Sequence, residues 1–445
     1  MRIARNPFEL SRDTCMKRIL TASSLALACG AAWATPVFHQ PGANMTYGGV
    51  SNTQSLMSYV ANPAAGASAY SRGEGGEFRM GLLSSIGTTL ELGGVDGFKE
   101  RFDELQAKLK ENITLDQLAP LKTKFDAVLS DMGDQQYLMN TALTGHIPLF
   151  PLVISNKDWG GTYVLDMNAA LEAKLKFLDS PLIFNPSTQK PETNSAVYAK
   201  AAAVGQVSLG YGRDLIETEY GSAYGGVRAS YYYLGLHKSV IGFALAENLN
   251  DVLNEEGKKK LKPATGYGVD LGFLWTSRNY RVGATFANLN EPKFAYDPIG
   301  QDCGTLTGTA QNSCLVASAY STEIAVNEIY VMNRQTTLEG AIFTDSQNWV
   351  LGVNYDTNVV NDPTGNLVQN AGVSAAYATR SWWIPGFRIG YQANLAGSKL
   401  SYLALGASLF KSVHADVQYG LDSVQYEGKA YPRKIGANIG FDLNF

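Results

Sequence analysis

Beyond its first thirty-odd residues the sequence lacks any apolar run near the roughly 18 residues that a membrane-crossing helix needs. Its mean hydropathy of −0.10 agrees, so the chain is not a helical membrane protein. Charge is sparse: 17% of residues are charged and the formal net charge is −4. That balance argues against nucleic acid as a main partner, but not against a membrane. Histidine is rare, with four in 445 residues, and His39, His146, His237 and His414 are scattered. The sequence has no phosphate-cradling loop of the GxxxxGK(S/T) form and no Cys/His metal cluster. It therefore offers no cofactor motif, no metal ligand set and no assignable catalytic residue.

Cysteine is also scarce, at four residues. Cys15 and Cys29 fall in an N-terminal targeting segment. Lys17 and Arg18 begin it, Ile19 to Ala28 form a short apolar core, and Ala32-Trp33-Ala34 supplies small residues before a cut near Ala34. Residues 1–34 thus read as a signal peptide. Met16 makes a compact start for it, so residues 1–15 read as an upstream start artefact. Leu27-Ala28-Cys29 loosely resembles a lipoprotein cleavage site, but Ala26 stands where an aliphatic residue is expected. Cys303 and Cys314 remain, in a loop rich in Gly, Thr, Ser and Asn. In an oxidising compartment they are a disulfide candidate, with two free thiols as the alternative.

Abundant instead are 45 glycines and 24 tyrosines, which suit barrel strands with small lumen residues and aromatic girdles. From about residue 147 a period of two dominates. Tyr163, Leu165, Met167, Ala169, Leu171, Ala173 and Leu175 alternate with polar or small neighbours. Tyr267 to Trp275, Trp349 to Tyr355, Phe387 to Ala393 and Val413 to Tyr419 repeat the pattern. These runs exceed the five or six residues of ordinary sandwich strands. In lipid every backbone group must be paired, so such strands close into a barrel. The expectation is an all-β membrane protein: an antiparallel transmembrane β-barrel of about 14 strands spanning 76–445.

Two segments break the pattern. Residues 35–75 are rich in Gly, Ala, Ser and Asn with little period, and read as a coil-like plug or hatch inside the barrel. Phe98, Phe102, Leu105 and Leu109, then Leu118, Leu121, Phe125, Val128 and Leu129, recur at helical steps. They predict an inserted α-helical hairpin at about 95–131, following a first strand at 77–92. Its apolar stripe either packs on itself or the barrel mouth, or stays exposed around Phe98 and Phe125 as a docking surface.

The last strand is the most specific feature. Ile435, Ala437, Ile439, Phe441, Leu443 and Phe445 alternate without a miss with Lys434, Gly436, Asn438, Gly440, Asp442 and Asn444. Its final octet resembles the barrel-assembly signal of outer-membrane proteins, carried here by Asn438, Gly440, Leu443 and Phe445. The expected location is therefore the outer membrane of a Gram-negative bacterium, with lipid and the barrel-assembly machinery as expected partners.

Asn62, Pro63 and Ala64 resemble the Asn-Pro-Ala motif near the N-terminus of FadL-type hydrophobic-compound channels. Asn288-Leu289-Asn290-Glu291-Pro292-Lys293-Phe294, the stretch from Trp382 to Tyr391 (WWIPGFRIGY) and Asn394-Leu395-Ala396-Gly397-Ser398-Lys399-Leu400 resemble the TraF-type conjugal-transfer outer-membrane family. The resemblance covers about 60–445 and implies a barrel grouped by fold with FadL-like channels. It implies either a structural component of a cell-envelope transfer complex or a passive channel for small hydrophobic molecules. In the channel reading Asn62 and Pro63 fix a turn in the hatch; the alternative is an ordinary Asn-Pro loop turn.

Arg281, Arg388 and Lys434 would face the lumen and could pair with Asp270, Asp416 and Asp442. His414 and Asp416 would share one lumen face, a pairing suited to general-base work, yet no nucleophile can be assigned and no enzyme is expected. A transport barrel predicts an apolar pocket in the upper lumen and a lateral gap or kinked strand. An assembly barrel predicts a filled lumen and an exposed apolar stripe on the helices.

Overall fold

The structure, a computed structural model, describes residues 41–73, 77–156, 160–242, 261–379, 381–426 and 428–444. The signal segment and Phe445 lie outside the described residues. Three short helices come first: α1 (Asn44–Tyr47), α2 (Met57–Ala61) and α3 (Ala65–Ser71). The wall begins with β1 (Phe78–Leu92). It continues, after α4 (Phe98–Lys110) and α5 (Leu115–Gly133), with β2 (Met139–His146), β3 (Leu152–Asn156) and β4 (Gly161–Leu178). Next come β5 (Ala196–Thr218), β6 (Gly221–Gly242), β7 (Lys262–Thr276) and β8 (Tyr280–Ala287). A long connection holding α6 (Gly308–Ala319) leads to β9 (Gln335–Phe343) and β10 (Trp349–Asp356). Last are β11 (Asn370–Tyr377), β12 (Gly386–Asn394), β13 (Ser401–Leu409), β14 (Val413–Gly420) and β15 (Lys434–Asn444).

Each wall strand pairs antiparallel with its neighbours, and β15 returns to β1 from Glu91↔Lys434 to Arg79↔Asn444. Both β2 and β3 lie between β1 and β4, so together they fill one wall position. The result is a closed barrel of 14 wall strands. Closure leaves no free edge, which lipid would not tolerate.

The alternation read in the sequence sets the two faces. Val282, Leu351, Val353, Val373, Leu405 and Ile439 are exposed outward, while Asp270, Arg281, Glu339, Arg388, Asp416 and Asn438 are buried inward. One end of the barrel carries short turns such as 277–279 and 410–412; the other carries long connections such as 93–138 and 288–334. Aromatic pairs mark the turn end, with Tyr163 and Tyr211 centroids 4.8 Å apart and Trp349 and Tyr377 4.9 Å apart. Trp382 and Trp383 there flank Phe410.

The helical hairpin belongs to the loop end. Strands β4, β5 and β6 run 18, 23 and 22 residues, well beyond the nine to eleven that cross a bilayer. On their outward side Leu175, Phe177, Val197 and Ala199 meet Phe102, Leu105, Phe125, Leu129 and Met132 of α4 and α5. A capping box of Thr114 and Gln117 starts α5, satisfying its first amides. The apolar stripe around Phe125 is therefore not an exposed docking surface: the elongated wall covers it.

Candidate functional site

The hatch is not coil. Its helices α1 to α3 occupy the lumen and put hydrogen-bonding backbone where lumen charges reach it. Glu339 on β9 accepts from the Ser51 amide at 2.6 Å, the Ser51 hydroxyl at 3.0 Å and Asn62 Nδ2 at 2.7 Å. Arg281 donates to Ser51 O at 2.7 Å, and Arg79 to Thr53 O at 2.9 Å and the Tyr59 hydroxyl at 2.8 Å. Arg228 donates to Val60 O, and Thr46 Oγ1 to Asp416 at 2.6 Å. Buried charges must be paired or hydrogen-bonded, and here the hatch backbone serves as partner.

Asn62, Pro63 and Ala64 lie at the centre of this plug. Gly212, Gly226 and Gly272 sit opposite one another on β5, β6 and β7. A Cβ at Gly226 or Gly212 would fall on the Pro63 carbonyl, and one at Gly272 on the Asn62 side chain. Side-chain-free residues on three adjacent strands thus form a notch for the motif. Asn62 Oδ1 also accepts from the Ala64 amide at 2.9 Å, the Asx geometry that starts a turn.

At about hatch level the wall is irregular. Residues 147–151, Ile-Pro-Leu-Phe-Pro, separate β2 from β3, because Pro148 and Pro151 have no amide to give a ladder. Alongside, β1 shifts register against β15 between Gly81 and Ile86. Isolated bonds close the gap: Gly81 N to Pro151 O at 3.1 Å, Leu149 N to Leu82 O at 3.3 Å and Ser84 Oγ to Phe150 O at 2.7 Å. Leu82, Leu83, Ile147 and Leu149 are half-buried there.

The loop end is covered from within by the connection 288–334. Phe294, Tyr296, Tyr330 and Met332 pack on Val204, Tyr232, Leu234 and Leu236. Lys200 and Lys238 hold Glu328 at 2.5 and 3.5 Å. Cys303 and Cys314 form a disulfide with Cα atoms 5.5 Å apart. Just past α6, the Tyr320 hydroxyl lies within 3.1–3.3 Å of the carbonyls of Leu178, Asp179 and Asn194. Burial pushes its pKa up to about 12, so it stays protonated and donates its one hydrogen to any one of them.

Beneath this cover a crevice beside Asn366, Tyr402 and Lys434 measures about 30 Å³. Thr89, Glu91, Asn140, Asn366 and Lys434 line it, so this crevice is not the apolar pocket expected of a transport barrel. A larger cavity, about 720 Å³, lies at the turn end under the hatch. Its rim includes the exposed Ser346, Trp382 and Lys411, and its wall includes Tyr47, Arg388, Ser408, His414 and Asp442.

Of the lumen charges singled out in the sequence, Arg388 and Asp416 pair through two bonds of 2.7 Å. Lys434 instead takes Glu91 at 2.7 Å, Asp270 takes Arg228 at 2.7 Å, and Arg281 reaches the hatch. His414 is not partnered by Asp416. Its Nδ1 is 2.8 Å from Ser408 Oγ and its Nε2 2.7 Å from Asp442 Oδ1. Sequence reading missed Ser408 because it comes from the neighbouring strand, where it faces His414 directly. Among the described residues, no cluster of three or more His, Cys, Asp or Glu side chains could hold a metal ion. Asn438 and Asp442 face inward on β15, while Leu443 is half-buried at the cavity edge.

These features define a transmembrane antiparallel β-barrel plugged by its own N-terminal hatch. The chain belongs to the family described as F plasmid transfer operon, TraF, protein, whose sequence model matches residues 59–356. Similar solved structures include a Pseudomonas aeruginosa FadL homologue, at 10% identity over 93% of this chain and 99% of that one, TM-score 0.42. The Pseudomonas putida toluene transporter TodX is similar at 11% identity over 94% and 100%, TM-score 0.39. No curated protein matches the sequence.

Proposed function

We propose that this chain is a hatch-plugged outer-membrane channel for small apolar solutes, with its turn end in the periplasm and its signal peptide removed near Ala34. The observation that carries this reading is the wall break at 147–151 beside the shifted register of β1. Half-buried Leu82, Leu83, Ile147 and Leu149 line a stretch closed by isolated bonds, so an apolar solute could pass there between bilayer and lumen. The cavity under the hatch then supplies a volume on the periplasmic side. Short periplasmic turns and long external loops are the rule for such barrels. The C-terminal strand is the part the barrel-assembly machinery would recognise.

A second reading, a structural component of a cell-envelope transfer complex, is favoured by the description of the family. One pair of assays separates the two. Uptake of a radiolabelled aromatic hydrocarbon and plasmid transfer are measured in cells with the wild-type chain, without it, and with Pro148→Thr/Pro151→Val to restore a ladder. The channel reading expects uptake to fall without the chain and with the restored ladder, at unchanged plasmid transfer. Equal uptake in all three strains, with plasmid transfer lost in the strain lacking the chain, would overturn it in favour of the second reading.

A further inference from the structure

Three side chains at the turn end of the lumen stand in an order that the channel reading does not use. Ser408 on β13 and His414 on β14 face each other across the ladder, and Asp442 on β15 lies on the same inward face. Ser408 Oγ is 2.8 Å from His414 Nδ1, and His414 Nε2 is 2.7 Å from Asp442 Oδ1. The only consistent proton placement for a neutral imidazole beside a carboxylate puts hydrogen on Nε2, so Nδ1 accepts from the serine hydroxyl. All three border the cavity of about 720 Å³ that opens at the turn end.

We propose that Ser408, His414 and Asp442 form a serine-hydrolase site acting on small esters with an apolar acyl group. A nucleophile, a base and a carboxylate that orients the base define this chemistry by geometry rather than by chain order. Ser408 Oγ attacks the ester carbonyl carbon while His414 Nδ1 takes its proton. The C–O bond to the alcohol breaks, and that proton leaves on the alcohol, giving an acyl-Ser408. Water, deprotonated by His414, attacks the acyl carbon, and Ser408 leaves with the proton as the carboxylic acid is released.

A cation lies beside the nucleophile. Arg388 Nη1 donates to Ser408 Oγ at 2.6 Å, and its two bonds to Asp416 hold it there. A fixed donor there holds the hydroxyl oxygen in place beside His414. The acyl group is chosen as apolar because Leu56, Met57, Tyr377, Trp382 and Ile384 line the cavity, and as small because of its volume. The exposed rim admits the ester from the turn end, so the site does not depend on the wall break.

The test uses the full mature chain folded in detergent, with the heat-shifted gel migration of a closed barrel as the folding check. A fluorophosphonate probe is expected to label the wild type, with the adduct mapped by mass spectrometry to Ser408. The wild type is expected to hydrolyse p-nitrophenyl butyrate; S408A loses both labelling and turnover, and H414Q and D442N lose about 100-fold or more of the turnover. A folded wild type with no adduct at Ser408, or a folded S408A that hydrolyses the butyrate at the wild-type rate, overturns the proposal and leaves the three residues as a lumen hydrogen-bond network. The mapping on the wild type decides even if a variant does not fold.

Discussion

Asn62 in the hatch reaches across the lumen to Glu339 in the wall, with Nδ2 2.7 Å from Oε1. The carboxylate is buried and takes its remaining bonds from Ser51. Asn62→Ala removes that donor and the turn bond to Ala64 together, at about 1–3 kcal/mol for a buried partner left unmatched. The barrel should keep its heat-shifted migration while the 41–73 segment becomes open to added protease. A hatch as resistant as wild type would contradict the role given to this pair.

The glycine notch makes a sharper prediction, because it is steric. Gly226→Val puts a side chain where Pro63 sits, whereas Gly210→Ala meets nothing nearer than 3.6 Å. The first should unseat the hatch and raise ion conductance in planar bilayers; the second should leave conductance unchanged. Equal conductance for both would mean that the motif is not held by the notch.

How much of this could be read from the sequence depends on the range of the interaction. The wall was legible, since each strand carries its own alternation and Ile439 and Asn438 fall on the faces the pattern assigns. The helical hairpin was legible too, but what covers Phe125 was not, because Phe177 and Val197 reach it from distant strands. The notch lay hidden for the same reason: Gly212, Gly226 and Gly272 become neighbours only through pairing register. His414 shows the limit most plainly. Its sequence neighbour Asp416 shares its face, yet Arg388 claims that carboxylate, and cross-strand Ser408 is nearer to the ring. The wall break could have been sought at Pro148 and Pro151, which have no amide to give a ladder.

Over the loop end, the Tyr320 hydroxyl joins the connection 288–334 to the rims of β4 and β5. Tyr320→Phe should lose roughly 1 kcal/mol of local stability. Amide hydrogen exchange over 308–324 should quicken in this variant, and further when the Cys303–Cys314 bridge is reduced. Unchanged exchange would show that packing of Ala317 and Ile324 alone fixes the cover.

For the helical hairpin, Phe125→Ala empties a fully buried site, worth about 3–5 kcal/mol in a well-packed core. Exchange across 98–133 should accelerate severalfold while β8 to β14 stay protected. Uniform loss of protection would show that hairpin and barrel unfold as one unit.

The hairpin also gives the barrel two unlike sides. Leu171 on β4 is exposed to the outside, but Leu175, four residues further on, is sealed beneath α5. The helix therefore covers the wall from Leu175 upward and leaves it open at Leu171. The sector of β4, β5 and β6 carries the longest strands among the described residues, so the barrel wall is higher on that side. A molecule approaching along the outer leaflet meets a different protein depending on the direction from which it comes.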